Sequence, residues 1–399
     1  MRIAVVTSFY SEGMGYTENC LPKALAELGH DVDVITSNLN VYGNEADYED
    51  TYAAFLGPAD QGTGRFRSDG YTVHRLESGR LGGYVVLREL AAKIRSVKPE
   101  IVHCTEIASL QTFHLAALRL VSGFRLFTET HQHLSVVRPY MKHPGGPFLK
   151  KAFYRLSRTL PTWVASFAVE RCYAISPDCV RVAMRYYGVP ARKLTLRSLG
   201  TDTTLFHPAT TPEEIIRRQR TRQDWGYGPA DILCIYTGRF SDAKNPLVLA
   251  RAVASLADAG LSYHSLFVGA GGQKEAIASC RHARVLPFAK HTALADLYRM
   301  ADIAVWPRQE SMSMLDAAAT GIPLVVSSEI GESDRVVGSG RVYQENSVED
   351  LARVLRGLAS ADERKALGAA GRAKMEERYS WAAIARAIEG DFASARGSR

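Results

Sequence analysis

"DILCIYTGRFSDAKNPLVLARAVASL", residues 231–256, carries the pattern that decides the fold. Its first part is a short apolar run without polar alternation, which is what a strand covered on both faces requires. A polar loop led by Gly238 follows, then Asn245 and Pro246, a pair that reads as helix N-cap and first-turn residue. The apolar residues beyond recur at helical spacing. Strand, loop and helix together make a βα unit, and in open parallel sheets ligands sit beyond the carboxyl ends of the strands. The loop Gly238–Lys244 therefore occupies a ligand position.

The same alternation extends in both directions. Upstream it appears as "RIAVVTS", "LPKALAELG", "DVDVITS", "RELAAKIRSV", "EIVHC", "QTFHLAALRLV" and "RLFTETH"; downstream as "HSLFVGAGG", "LADLYRMADIAVWP" and "GIPLVVSS". It pauses at "GTDTTLFHPATTPEE". An α/β protein of two doubly wound, Rossmann-like domains is expected, spanning 1–205 and 206–378. A helix of about 379–399, entered through a break near Tyr379, is expected to return to the first domain. A length of 399 residues with 46% hydrophobic residues suits two such cores. No run reaches the ~18 to 20 apolar residues that cross a bilayer, and Met1 leads directly into a strand-like segment, so a soluble cytoplasmic chain is expected. The six cysteines are scattered without CxxC spacing, which disfavours a disulfide framework or a zinc site. No nucleic-acid motif is present.

Several residues stand where chemistry is expected. Arg239 and Lys244 flank a helix start at a strand end, combining a guanidinium fork, an ammonium and unpaired backbone N–H groups. That suits a diphosphate; two solvated loop cations are the alternative. Gly13 and Gly15 lie between a strand and a helix, where a missing side chain admits a ligand or merely a tight turn. His131 ends the strand "RLFTETH", with His133 and His103 as rivals. "DVD" at Asp31–Asp33 enters an alternating strand and reads as a strand edge, not a metal site. "VGAGG" lacks the spacing and later acid of a dinucleotide loop. No metal ligand set is expected.

"GRFSDAKN" resembles the Gly-Arg to Lys segment of the retaining, family 4 type of GT-B glycosyltransferases (glycosyl transferases group 1). "GYTENCLPKALAELGHDVDVITS", "PEIVHCTE", "FTETH", "LGTDTTLFHP", "VGAGG", "LADLYRMADIAVWP", "LDAAATGIPLVVS" and "YSW" resemble further segments of that family in the same order. The resemblance implies two domains facing each other across a cleft, the N-terminal one taking the acceptor and the C-terminal one a nucleotide diphosphate sugar. It implies transfer with retention, and no cofactor beyond that donor. Glycan, glycolipid or polyprenyl-linked acceptors are the expected partners, in synthesis of cell-surface polysaccharide or glycolipid.

In that family an E-x7-E element precedes the "GxPVV" strand. Counted back from Gly321, its second acid falls on Asp316, which the resemblance assigns to the donor ribose; a contribution to the helix dipole, with Ser311 or Ser313 as cap, is the alternative. The first acid falls on Arg308, with Glu310 the nearest carboxylate. Ser311, Met312, Ser313 and Met314 join Gly13, Gly15, Gly238, Arg239 and Lys244 as expected donor-binding residues, and His131 and Glu310 join the two cations as expected catalytic ones. In "EIGESDRVV", Glu332 stands where the family tends to have Gly, and Arg335 where it tends to have an acid. A nucleotide-sugar epimerase or phosphorylase of the same fold, or a non-catalytic glycan-binding protein, are the rival readings.

The formal charge is +7, but six Lys or Arg and no acid lie between Thr130 and Val169, and five more without an acid between Val180 and Thr201. In "LKKAFYRLSRTL", Leu149, Ala152, Phe153, Leu156 and Leu160 fall on one helical face, with Lys150, Lys151, Arg155 and Arg158 elsewhere. Peripheral contact with an anionic membrane and packing of the apolar stripe on the N-terminal sheet both explain this pattern.

Overall fold

Strand β1 (Arg2–Val6) is fully buried from Ile3 onward, as a strand in the middle of a parallel sheet covered on both faces must be. The computed structural model that places it describes residues 1–45, 48–81, 84–134, 137, 152–330 and 333–397. The chain divides into two units: Met1–Leu199 together with the chain from Ile384 onward, and Gly200–Ala383.

In the first unit β1 is followed by helix α1 (Thr17–Glu27) and by β2 (Asp31–Ser37), β3 (Gly64–Ser68) and β4 (Tyr71–Leu76). A separate hairpin, β5 (Ser78–Leu81) and β6 (Tyr84–Leu87), precedes β7 (Ile101–Cys104). Helix α2 (Leu110–Ser122) leads to β8 (Arg125–Thr130). A wide π-helical turn, Arg155–Thr159, runs into helix α3 (Leu160–Ala168), then β9 (Val169–Ala174), helix α4 (Pro177–Tyr187) and β10 (Leu194–Leu196). The eight-stranded sheet has the order β10-β9-β8-β7-β1-β2-β4-β3, parallel throughout except for the edge pair β3 and β4.

The second unit carries six parallel strands in the order β13-β12-β11-β14-β15-β16, built from β11 (Ile232–Thr237), β12 (Tyr263–Val268), β13 (Ala283–Leu286), β14 (Ile303–Trp306), β15 (Leu324–Ser327) and β16 (Gly340–Tyr343). Every residue of β11 is buried. Helices α5 (Leu247–Asp258), α6 (His291–Met300) and α7 (Ser313–Ala319) pack on this sheet. The last helix, α8 (Trp381–Gly397), follows a π-helical turn at Met375–Tyr379 and returns to the first unit. There Phe392 packs at 4.6 Å between ring centroids on Phe127, and Asp391 accepts a hydrogen bond from Tyr173.

Three expectations need revision. Helix α5 begins at Leu247 with Pro246 at the cap position; Asn245 adopts a left-handed φ of 46° and donates its side-chain amide to Asn346, so Asn245 is not the cap. The pause before residue 231 contains a 13-residue helix, Pro212–Asp224, closed by a capping box between Thr211 and Glu214. The apolar stripe at Phe153, Leu156 and Leu160 does not pack on the sheet, for all three are exposed. Leu149, Lys150, Lys151, Arg138, Lys142 and Glu332 lie outside the described residues. No helix among the described residues is long and apolar enough to cross a membrane.

Candidate functional site

In the second unit, the loop after β11 is braced by glycine-mediated contact. Gly238 leaves the strand at φ 143°, and Tyr236 donates its hydroxyl proton to the Arg239 carbonyl. The "VGAGG" segment supplies the brace: a Cβ on Gly269 would lie 1.9 Å from the Gly238 carbonyl oxygen, and one on Gly271 would lie 2.7 Å from that of Phe240. These glycines let two backbones meet, which accounts for them without a dinucleotide. The loop so held presents exposed Arg239 and half-buried Lys244 before α5. Burial, and then the Arg239 charge, push the Lys244 ammonium below its ordinary range, so the two cations repel each other at close quarters. An anion placed here relieves that repulsion. The Leu247 N–H at the start of α5 is taken by Gln273 Oε1 at 3.2 Å, which leaves the site to rely on its side-chain cations more than on that amide.

The segment after β14 closes on the same loop. Lys244 Nζ reaches the Glu310 carbonyl at 3.5 Å, and Ser313 Oγ reaches the Thr237 carbonyl at 3.5 Å. Ser311 and Ser313 bond to each other at 2.8 Å, and neither caps α7, whose N-cap position is Met312. Gly238, Lys244, Glu310 and Ser313 are thus brought together. Met314 is fully buried in the core and Met312 packs against that core, so the Met314 side chain holds α7 to the sheet. The Glu310 carboxylate pairs with Arg335 at 3.2 Å, so Arg335 serves to hold Glu310. Arg308 is committed to Glu345 at 2.8 Å and to the Asp242 carbonyl at 3.2 Å. Asp316 is buried, accepts from Thr201 Oγ1 at 2.7 Å, and lies 3.5 Å from His291 Nε2. Sequence reasoning had missed Thr201, His291 and the Arg335 pairing.

The first unit builds a different kind of site. Phe127 and Glu129 alternate along β8, His131 directly follows its last residue, and His103 on β7 is in register with Phe127, which sets Glu129 between two imidazoles. His103 Nε2 and His131 Nε2 each lie 2.8 Å from a different oxygen of Glu129. His103 is inaccessible and His131 is 31% exposed, which leaves His131 as the histidine of the pair open to a ligand. His133 pairs instead with Asp178 at 3.4 Å. Burial pushes the Glu129 carboxyl up, but the charges and hydrogen bonds of His103 and His131 outweigh it and bring it to about 2. Burial pushes His131 down, and Glu129, then Glu106 and Glu18, outweigh it and raise it. Glu18, in the first turn of α1, is pushed up to about 7 by burial, and Glu106 likewise to about 6. With Nε2 engaged by Glu129, His131 offers Nδ1 to a ligand. Gly13, at φ 72°, makes the turn between β1 and α1; Gly15 has no positive φ. Asp33 of "DVD" is engaged by His74 at 2.6 Å.

Two family profiles match this chain: Glycosyltransferase Family 4 over residues 20–205, and Glycosyl transferases group 1 over residues 231–361. The two profiles follow one another along the chain, and its fold is that of the GT-B glycosyltransferases. It is 26% identical over 231 residues to D-inositol 3-phosphate glycosyltransferase of Rhodococcus erythropolis, covering 53% of this chain and 51% of that protein. It is 29% identical over 175 residues to GDP-mannose-dependent alpha-(1-6)-phosphatidylinositol dimannoside mannosyltransferase of Mycobacterium tuberculosis, covering 42% and 44%. The chain thus spans about half the length of the curated relatives it matches. Sucrose-phosphate synthase of Thermosynechococcus elongatus shares its fold, with a TM-score of 0.67 at 17% identity over the full length of both chains.

Proposed function

We propose that this glycosyltransferase moves a sugar from a nucleotide diphosphate sugar to a glycan or lipid-linked acceptor, with retention of anomeric configuration and without a metal ion. The observation that carries the donor assignment is the pair Arg239 and Lys244, held together at a strand end by a braced loop. Breaking the anomeric C–O bond leaves charge on the β-phosphate, and preorganised cations stabilise it most where water is scarce. In this reading Gly238 admits the phosphates, Ser311 and Ser313 with Met312 line the donor, and Glu310, steadied by Arg335, faces its sugar. Asp316 reaches the ribose while tied to Thr201. His131, through Nδ1, hydrogen-bonds the sugar, and Gly13 and Gly15 admit the ligand on the first unit. The reading needs no further cofactor.

The names of the relatives support a nucleotide-sugar donor and an acceptor bearing phosphate or lipid. A lipid-linked acceptor lies in a membrane, so the reading includes peripheral contact with a membrane and a role in glycolipid or polysaccharide synthesis. The test is thermal shift and turnover against a panel of nucleotide sugars, followed by the anomeric configuration of the product. Stabilisation by one donor with retained configuration is the expected result. No stabilisation by any nucleotide diphosphate would refute the donor assignment, and inverted product would refute retention.

A further inference from the structure

The helical segment 152–168 wears its apolar face outward. Phe153, Leu156, Leu160, Trp163 and Phe167 follow one another at spacings of three and four, Val164 lies beside Trp163, and each of the six is between 44% and 66% exposed. The positions turned toward the unit's interior are Tyr154, Thr162, Ala165 and Ser166, which are smaller or more polar apart from the tyrosine. A helix that only packed on its own sheet would show the reverse. The end of α2 extends the same surface with Leu120 and Val121, both more than 80% exposed. Between α2 and α3 runs a groove of about 770 Å³, lined by Phe113, Ala116, Leu120, Leu160, Val164 and Phe167.

Positive charge surrounds this ridge. Arg155 is exposed one turn from Leu160. Trp163 lies against the end of α4, where a Cβ on Gly188 would come within 2.9 Å of its ring, and Arg185, three residues earlier, is exposed. Lys193 donates to the Ser166, Phe167 and Val169 carbonyls at the end of α3, with exposed Arg192 beside it. No Asp or Glu occurs between Thr130 and Val169. A second copy seated face to face would bring these cations together at the cost of repulsion. An anionic lipid surface satisfies both the aromatic ridge and its basic rim.

We infer that this face docks the protein on an anionic bilayer: Leu160, Trp163 and Phe167 enter the head-group boundary while Arg155, Arg185 and Arg192 meet lipid phosphates. The inference names the surface for the membrane contact proposed above and rests on that reading. The test is co-sedimentation of the full chain with vesicles of phosphatidylcholine alone or mixed with phosphatidylglycerol, at low and high salt. Two variants accompany the wild type, one with Leu160, Trp163 and Phe167 changed to Ser and one with Arg155, Arg185 and Arg192 changed to Ser. The wild type should bind only the anionic vesicles and release with salt. The apolar variant should stay in the supernatant, and the charge variant should bind about 100-fold more weakly, near 1 kcal/mol for each cation. Nucleotide-induced thermal shifts of both variants should match the wild type, since no changed side chain belongs to the donor loop, and circular dichroism of the apolar variant, which loses the Trp163 contact with Gly188, should show the fold intact. Wild type left in the supernatant, apolar variant sedimenting like wild type, or a wild-type dimer that the apolar variant turns into a monomer without any vesicle binding would each overturn the inference. Vesicle binding without any nucleotide response would instead refute the donor assignment and leave this surface standing.

Discussion

Changing Glu129 to Gln keeps the shape of the buried carboxylate and removes the charge that two histidines share. The folded carboxyl sits at about 2 against an ordinary value of 4.5. At 1.36 kcal/mol for each pH unit, the ionised form therefore contributes about 3 kcal/mol to the folded state. The sign follows from linkage. A carboxyl with a depressed folded value stabilises fully above its unfolded value, and that stability is lost as pH falls from about 4.5 toward 2. Glu129→Gln should thus lower the unfolding free energy of the first unit by about 3 kcal/mol at pH 7, and by progressively less as the pH is lowered through that window. Denaturant melts of both proteins at several pH values measure the first effect. The second readout is the imidazole: with Glu129 neutral, His131 should titrate at lower pH, visible in its ring proton shifts. Equal stability losses at pH 7 and near pH 3, or an unchanged His131 titration, would refute the charge-sharing account.

Arg239→Ala and Lys244→Ala should each cut turnover by about 100-fold or more, as loss of one preorganised charge-stabilising donor does; steady-state rates with both folds intact check this. Glu310→Gln should reduce turnover more than Arg308→Ala, because Arg308 is committed to Glu345 while Glu310 is held ready by Arg335; the reverse order would assign the donor sugar to Arg308. Gly269→Ala should destabilise the second unit by about 3 kcal/mol, because the new methyl meets the Gly238 carbonyl and the backbone φ of 154° disfavours it, and a calorimetric scan measures the loss. Incubation with EDTA should leave turnover intact, since Arg239 and Lys244 supply the positive charge; activity lost and then restored by manganese or magnesium would refute this.

The doubly wound fold was legible because parallel strands buried on both faces leave continuous apolar runs such as "ILCIYT", and no other common element of that length does so. The helix Pro212–Asp224 was not read because it buries almost nothing: Arg222 is its one buried residue, so there is no apolar stripe to count. Its capping box, Thr211 with Glu214, was the available signal. The edge strand β3 was missed for a similar reason, since "GRFRS" is largely exposed. Arg239 and Lys244 were legible from position alone, one loop after one strand. Glu129 was not, because its meaning comes from His103 on a neighbouring strand, and register between strands is not written in either segment. Periodicity found the stripe Phe153, Leu156, Leu160 but carried no information about which side of the helix the protein lies on; only burial decides that.

The two units place opposite chemistry at or near the carboxyl ends of parallel strands. In the second, burial and then the Arg239 charge push the Lys244 ammonium below its ordinary range, so the loop is poised for an anion. In the first, Glu18, Glu106 and Glu129 gather around one partly exposed imidazole, and two of these carboxyls are pushed up to about 7 and about 6 by burial. Such a cluster repels a diphosphate and suits neutral hydroxyl groups, which can donate to the carboxylates and accept from the imidazole. This contrast supports the proposed assignment of the donor to the second unit and the acceptor to the first. It also gives a physical reason why Glu129 is the most acidic of the three. Fixed between His103 and His131, it stays ionised when its neighbours take up protons, and it keeps the His131 ring oriented across the range in which Glu18 and Glu106 titrate.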